Sequence, residues 1–187
     1  MTRRAAALAT ALALTLLAAP ALAGDWFQHK FGELRSVHGD WLAVCADNGE
    51  GACRVTISGK DPGSSAFFDY RLTLYYVEGV NDWNIEVMDR DMPEHALQDM
   101  LFDVDGELTR LLPGQFEPGE LGIPNVAETV SITDFDFSRT LVPKLQAGNR
   151  LTITYTPPGY DGRAAFSLRG ISAAMRAVED HVRQRMN

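Results

Sequence analysis

Both cysteines of the chain flank one short turn, and this pair constrains the fold more than any other feature. Cys45 and Cys53 lie within residues 39–58, GDWLAVCADNGEGACRVTIS. Trp, Val, Ile and Thr are enriched on both sides of the turn, as they are in β-strands. The intervening DNGEG contains Asn-Gly, which tolerates positive φ and favours chain reversal. The segment therefore predicts a β-hairpin that brings the two cysteines close together.

The N-terminus carries the three parts of a secretory signal peptide. Arg3 and Arg4 form a positive n-region, residues 5–19 form an apolar h-region, and residues 21–23 (ALA) form a small-x-small cleavage site. An uncleaved membrane anchor is the alternative, but the apolar run is shorter than the about 20 residues that span a bilayer. We predict that residues 1–23 are removed and that the protein resides in the periplasm, with secretion or the outer surface as the alternatives.

Removal of the leader leaves residues 24–187, a length that suits one β-rich domain with a single core. The leader contains two arginines and no acid, so its loss changes the formal net charge from −8 to −10. An acidic domain repels nucleic-acid phosphates and anionic lipid, which argues against both as partners. No later segment is apolar enough to span a membrane, so no integral membrane segment is expected after cleavage.

Export favours a disulfide between Cys45 and Cys53 over two other interpretations. In an oxidising compartment an even number of cysteines is first interpreted as disulfide bonding. A structural zinc site usually takes four ligands in short-spaced pairs, and here one widely spaced cysteine pair has no His-x3–5-His partner. A thioredoxin-like site has Cys-x-x-Cys at a helix N-terminus, and neither the spacing nor the context agrees. We expect the bridge at the edge of the apolar core, with Trp41 on the same strand face as Cys45.

Alternation with period two marks several further strands. In FFDYRLTLYYVEG and DWNIEVMDRD, apolar side chains occupy every second position, as on half-buried strands, and GVND joins the two segments as a hairpin turn. Further short strands are predicted in MLFDVDGELTRLL, AETVSITDFDF, NRLTITYTP and RAAFSLRG. Many short strands separated by turns predict a mainly β fold, an antiparallel β-sandwich or a barrel-like domain.

A C-terminal helix is predicted from about residue 171 to residue 186. Its apolar residues recur every three or four positions and form one stripe that should pack on the sheets. The members of this stripe are Ile171, Ala174, Met175, Val178, Val182 and Met186. Two other segments give weaker predictions: residues 138–148 suggest one helical turn because Pro143 opposes a longer helix, and the Pro/Gly-rich residues 112–125 suggest an irregular loop.

The sequence contains no recognisable catalytic motif, cofactor motif or metal-binding motif. Gly-x-Ser-x-Gly and the phosphate-loop spacing are absent, and the four histidines follow no known ligand pattern. Two acidic clusters are the densest sets of potential cation ligands: DRDMPEH, from Asp89 through Glu94 to His95, and DVDGE, from Asp103 to Glu107. Both are typical of solvated strand ends and turns, so we assign no metal, cofactor or catalytic residue. Tyr75 is a candidate for a binding role, because it could be part of an exposed aromatic patch that recognises a partner.

The two ends of the chain resemble the invasion-associated locus B family of exported bacterial proteins. HGDWLAVCADNGEGACRVT is similar to that family's Gly-Asp-Trp strand with its first cysteine pair. LVPKLQAGNRLTITYTPPGYDGRAAFSLRGISAAMRAV resembles its helical turn, strand and final helix. Family members often carry a second cysteine pair, which this chain lacks. The resemblance implies a periplasmic or outer-surface β-protein with a Cys45–Cys53 disulfide, and named members are associated with host-cell invasion.

These observations favour a non-enzymatic envelope protein that binds a protein partner or supports envelope integrity. The alternative is a small-ligand carrier or an enzyme with its site inside the sandwich. A deep apolar pocket with convergent polar groups would favour the alternative. A filled core with exposed aromatic side chains would favour the binding protein.

Export leads to a direct prediction about the mature N-terminus. N-terminal sequencing of the protein purified from its native host is expected to begin at Gly24, within a residue or two, because cleavage follows the Ala-x-Ala motif. Retention of Met1 in a cytoplasmic fraction would contradict both the compartment and the argument for an oxidised cysteine pair.

Overall fold

The computed structural model describes residues 24–92, 99–124, 128–156 and 163–187. These residues form a nine-stranded sheet, a four-stranded sheet and two α-helices. All strand pairs are antiparallel, and the sheets face each other without closing into a barrel. The predicted mainly β, sandwich-like fold with a C-terminal helix is therefore confirmed.

The larger sheet has the strand order β1-β2-β3-β4-β5-β6-β11-β9-β10, so its first six strands follow chain order. Its strands are β1 Phe27–His29, β2 Glu33–His38, β3 Trp41–Cys45, β4 Cys53–Gly59, β5 Tyr70–Val77, β6 Asp82–Asp89, β9 Glu117–Glu120, β10 Ile123–Pro124 and β11 Thr129–Ile132.

The smaller sheet has the order β13-β12-β7-β8. Its strands are β7 Asp99–Val104, β8 Glu107–Leu111, β12 Arg150–Thr156 and β13 Arg163–Ser167. Helix α1 spans Phe135–Ala147 and helix α2 spans Ile171–Arg185. A turn at Asp105-Gly106 joins β7 to β8, and both of its residues have positive φ.

The core lies between the two sheets and is built by the predicted alternation. Leu72 and Leu74 of β5 pair with Val87 and Ile85 of β6, and all four are fully buried. The opposite sheet contributes fully buried side chains such as Phe102. Full burial of each large apolar side chain contributes roughly 1.5–3 kcal/mol to the stability of the fold.

Helix α2 packs on β2, β3 and β4 through the predicted apolar stripe. Five of its six predicted members are buried: Ile171, Ala174, Met175, Val178 and Val182. The prediction is wrong for Met186, because the helix ends at Arg185, one residue before the predicted end, and Met186 is 60% exposed. Gly170 precedes the helix with φ 101°, and a Cβ there would lie 2.0 Å from the carbonyl oxygen of His38. Only glycine allows this close approach of the helix start to the β2–β3 turn.

The prediction of a single helical turn near residues 138–148 is wrong, because α1 has 13 residues with Pro143 in its interior. Asp134 caps its N-terminus by accepting hydrogen bonds from the backbone N–H groups of Asp136 and Phe137 at 2.9 and 3.2 Å. Leu141 and Leu145 are fully buried. Burial of this apolar face outweighs the hydrogen bond that proline removes.

Short hairpins occur in one segment that was predicted as irregular and in another to which no structure was assigned. Residues 112–125 include β9 and β10, whose prolines lie near the edge of the sheet, where a missing N–H is tolerated. The lead-in to the cysteine hairpin forms β1 and β2. Both hairpins are too short to show a period-two pattern.

The sequence predicted a signal peptide and, after it, no membrane-spanning segment. Residues 1–23, the predicted signal peptide, lie outside the described residues. Within the described ranges, neither helix is long and apolar enough to cross a bilayer.

Cys45 and Cys53 form the predicted disulfide across β3 and β4. Replacing both with serine is expected to lower the free energy of unfolding by about 2–5 kcal/mol, because the bridge restricts the unfolded chain. Urea denaturation measures the difference, and a double alanine variant separates the loss of the bridge from the burial of two hydroxyl groups. A serine variant as stable as the wild type would contradict a structural role, as would two free thiols in the untreated protein.

Candidate functional site

The disulfide lies beneath helix α2, among the buried residues of the core. Cys45 and Cys53 face each other in register on β3 and β4, with Cα atoms 4.1 Å apart. Both residues are at most 1% exposed. Trp41 shares the inner face with Cys45, as predicted, and its Nε1–H donates to the carbonyl of Ser167 at 2.9 Å.

The bridge closes a compact loop, residues 46–52, that contains a 3₁₀ turn at Asp47–Gly49. The N–H groups of Gly49 and Gly51 both donate to the carbonyl of Ala46, at 2.8 and 3.0 Å. Asn48 and Gly49 have φ values of 57° and 104°, which the predicted Asn-Gly turn permits. These internal bonds leave the carbonyls of Gly49 and Gly51 available to other parts of the chain.

The last turns of α2 bind these two carbonyls. Nε2 of His181 lies 2.8 Å from the oxygen of Gly49. Arg185 donates from Nη1 to the oxygens of Gly49 and Gly51 at 2.8 and 2.7 Å, and its other guanidinium nitrogen forms an ion pair with Glu78 in the β5–β6 turn. Because the Arg185 side chain is only 14% exposed, these charged bonds are shielded from water and contribute more than surface pairs do.

The N-terminal hairpin completes this end of the molecule. The ring of Trp26 lies 5.1 Å from the ring of His181, centroid to centroid. Gln28 donates to Oδ1 of Asn48 at 2.6 Å, and the N–H of Asn48 donates to the carbonyl of Gly32 at 2.8 Å. Four segments thus meet around the bridge: residues 26–32, 46–52, 78–81 and 181–186. We call this region the disulfide end.

The disulfide end also carries exposed apolar side chains. Phe31 is 72% exposed, Met186 60%, Val80 48% and Phe27 45%. Each belongs to, or directly follows, a segment held by the contacts around the bridge. Fixed exposed apolar groups are a feature of surfaces that bind other proteins.

A groove of about 440 Å³ lies between the β5–β6 turn and α2 at the same end. Its lining consists of Tyr76, Asn81, Glu179, Arg183 and Met186. The ring of Tyr76 packs 5.1 Å from that of Trp83, and its hydroxyl donates to Asn81 at 3.0 Å. The groove therefore has an aromatic wall held in one orientation, with charges of both signs at its rim.

His181 and Arg185 were not among the residues predicted from the sequence to form a site. A weak signal for them exists, because each lies three residues after a member of the apolar stripe, Val178 and Val182, and so borders the buried face of α2. Their partners, Gly49 and Gly51, lie more than 130 residues away in sequence and cannot be paired with them from local pattern.

Tyr75 does not form an exposed aromatic patch. It lies half-buried on the outer face of the larger sheet, and its hydroxyl donates to Oε1 of Glu86 at 3.4 Å. Glu86 is 1% exposed and also accepts from Arg71 and from the N–H of Leu121. Burial, followed by the charge of Glu86, raises the pKa of Tyr75. This polar cluster is internally satisfied and serves to hold the β9–β10 hairpin on the sheet.

The acids of the second predicted cluster organise turns. Asp103 accepts from the N–H of Gly106 at 2.6 Å. Asp105 accepts from the N–H groups of Asn149 and Arg150 at 2.7 and 3.1 Å, and Glu107 forms an ion pair with Lys144 at 2.7 Å. Asp103 thus closes the β7–β8 turn, Asp105 attaches the turn to the start of β12, and Glu107 attaches it to α1.

The first predicted cluster is only partly described. Glu94 and His95 lie outside the described residues. Asp89 is 2% exposed, accepts from the hydroxyl of Tyr155 at 2.8 Å and accepts from the N–H of Asp91 at 2.9 Å. Burial raises the pKa of Asp89, and the nearby Asp91 and Asp61 act in the same direction. Because Tyr155 is on β12 and Asp89 on β6, this bond connects the two sheets.

Ser36 and His38 form a buried Ser-His pair on β2. The direction of its hydrogen bond is the wrong one for activating the serine as a nucleophile. Ser36 donates its hydroxyl proton to the carbonyl of Gly24 at 2.6 Å. The contact of 3.0 Å between Ser36 and Nε2 of His38 must then be a bond donated by His38. Burial lowers the pKa of His38. Since the two residues are 0% and 4% exposed, the pair has a structural role.

The bond between Asp89 and Tyr155 gives a prediction for stability. Tyr155→Phe removes a hydroxyl donor from a buried carboxylate and is expected to lower the free energy of unfolding by about 1–3 kcal/mol. Because the pKa of Asp89 is raised in the folded state, its contribution is fully present below the unfolded value of 3.8 and is lost as pH rises through the folded value.

Asp89→Asn retains an acceptor for Tyr155 without the charge and should remove this part of the pH dependence. Urea unfolding of both proteins from about pH 4 to pH 8 measures the effect. Wild-type stability should fall relative to the variant as pH rises. Parallel profiles would show that Asp89 does not titrate with a raised pKa.

Comparison with protein-family models, curated proteins and solved structures found no match for this chain. The resemblance to the invasion-associated locus B family therefore rests on the two terminal segments quoted above.

Proposed function

We propose that the chain is an exported, non-enzymatic envelope protein that binds a protein partner through the disulfide end. The observation that carries this proposal is the set of exposed apolar side chains, Phe27, Phe31, Val80 and Met186, on segments fixed around a buried bridge. Segments that are already held in place lose little backbone entropy on binding, so more of the contact energy of their side chains contributes to affinity.

The surroundings of these side chains suit a protein interface. Asp47 and Glu50 are exposed on the disulfide-closed loop, and Arg183 is exposed beside the groove. Exposed apolar side chains with charges of both signs at the rim are common on protein-binding surfaces. The partner is expected to offer an apolar side chain for the groove next to Tyr76 and polar groups for this rim.

The interior supports the same proposal over its alternative. A small-ligand carrier or an enzyme with a site inside the sandwich needs space between the sheets. Large side chains occupy that position, and Tyr155, Phe102, Leu72 and Met100 are fully buried there. An interior filled by large side chains has a structural role, so a binding site is expected on the surface.

Two further observations support location in the envelope. The Cys45–Cys53 disulfide is typical of proteins in oxidising compartments. The N-terminal sequence has the three parts of a signal peptide. Together with the resemblance of both ends to the invasion-associated locus B family, they favour the periplasm, with the outer surface and secretion as alternatives.

Photo-crosslinking at two matched phenylalanines tests the proposal. Phe31 and Phe67 are both strongly exposed, at 72% and 94%. Phe31 is at the disulfide end, whereas Phe67 lies in the β4–β5 loop at the opposite end. A photoreactive phenylalanine analogue at position 31, in intact cells, is expected to form a discrete adduct with an envelope protein. The same analogue at position 67 should not form that adduct.

Binding measurements with the captured partner give the contribution of each side chain to the binding free energy. Phe31→Ala and Met186→Ala are each expected to weaken binding by about 1–2 kcal/mol, as central interface side chains do, and Phe67→Ala should have no effect. Adducts that form equally from both positions, or only from position 67, would show that the disulfide end is not the binding surface.

A further inference from the structure

The disulfide and a histidine of α2 form a cluster of potential metal ligands. One nitrogen of the His181 ring and the sulfur atoms of Cys45 and Cys53 all lie within 4.8 Å of one another. Among the described residues this is the one group of three or more His, Cys, Asp or Glu side chains with ligand atoms so close together. In the oxidised protein the two sulfur atoms are bonded to each other and cannot act as thiolate ligands.

One hydrogen bond to the disulfide-closed loop holds the His181 ring. Its Nε2 lies 2.8 Å from the carbonyl oxygen of Gly49, which can only accept, so Nε2 donates this bond and, in the neutral ring, Nδ1 is the nitrogen left to bind a cation. Metal-binding histidines generally donate their second ring N–H to a carbonyl or carboxylate, which fixes the tautomer and the ring orientation. The ring of Trp26 also packs against His181, with 5.1 Å between the ring centroids.

The three residues also suit one class of cation. Thiolate and imidazole are the ligands preferred by Zn²⁺, with sulfur at about 2.3 Å and nitrogen at about 2.0–2.1 Å from the metal. Cys45 and Cys53 are directly opposed on neighbouring strands, so two free thiolates would remain adjacent after the S–S bond is broken. Three protein ligands leave one position of a tetrahedral site for water or another donor.

We propose that reduction of the Cys45–Cys53 bridge converts this cluster into a Cys₂His binding site for a thiophilic divalent cation such as Zn²⁺. A dithiol reductant supplies two electrons and two protons. Its two thiols become a disulfide while the S–S bond of the protein breaks to give two thiols. Binding of the cation then releases both thiol protons, and two metal–sulfur bonds and one metal–nitrogen bond form.

The disulfide and the bound cation are mutually exclusive in this site, and the two equilibria are therefore linked. A cation that binds only the reduced form stabilises that form, so it makes the bridge easier to reduce. Partner binding at the exposed apolar side chains is a separate property and does not depend on this site.

Cobalt titration of the reduced protein tests the proposal directly. The mature protein is reduced with a phosphine, freed of reductant without oxygen and titrated with Co²⁺, whose thiolate charge-transfer absorption reports sulfur ligation. One equivalent is expected to bind, and Zn²⁺ should displace it. Oxidised protein should give no such absorption. His181→Gln is expected to weaken Co²⁺ binding by at least about tenfold, since even partners of metal ligands contribute 10–100-fold.

His29→Gln is the matched control, because His29 is a second histidine at the disulfide end but is not part of the cluster. It should bind Co²⁺ like the wild type. If reduction alone unfolds the domain, circular dichroism gives a second readout: Zn²⁺ should restore the β-rich spectrum of the wild type but not of His181→Gln at the same concentration. Absence of thiolate absorption, equal affinities of wild type and His181→Gln, or failure of Zn²⁺ to restore the fold would each overturn the proposal.

Discussion

The contact between the end of helix α2 and the disulfide-closed loop determines how four separate segments are placed. His181 and Arg185 bind the carbonyl oxygens of Gly49 and Gly51, and Arg185 also reaches Glu78. Hydrogen bonds to charged groups contribute about 1.5–3 kcal/mol each, more than neutral ones. The bridge strengthens this contact indirectly, because a closed loop presents its carbonyls in one arrangement. Without the loop, α2 would keep its apolar stripe but lose the polar bonds that fix its last turn.

Two polar bonds cross the interior and fix how the sheets align. Tyr155 donates to Asp89, and the indole of Trp41 donates to the carbonyl of Ser167. Apolar contacts tolerate small shifts between sheets, whereas a buried polar group that loses its partner costs about 1–3 kcal/mol. The donor and acceptor of each bond therefore specify one relative position of the sheets. The apolar side chains drive association of the layers, and these few polar pairs make it specific.

Some of these features could be predicted from the sequence alone, and others could not. The hairpin of Cys45 and Cys53, the alternation at Leu72 and Leu74, and the stripe of α2 were all predictable, because each depends on local periodicity or on turn chemistry. The extent of α1 was not, since tertiary burial of Leu141 and Leu145 outweighs the local effect of Pro143. The disulfide end was missed for a different reason. His181 and Arg185 resemble ordinary solvent-facing helix residues until the distant carbonyls that they bind are brought beside them.

Oxidised and cation-bound states of the disulfide end would differ mainly in what holds α2. In the oxidised protein the bridge joins β3 to β4, and α2 is attached to the loop through hydrogen bonds. A cation bound by Cys45, Cys53 and His181 would join all three elements directly through metal–ligand bonds. The segments that carry Phe31, Val80 and Met186 contact this unit from different sides. A change in ligation would act beneath α2, within the core to which Cys45 and Cys53 belong, and not on the exposed side chains themselves.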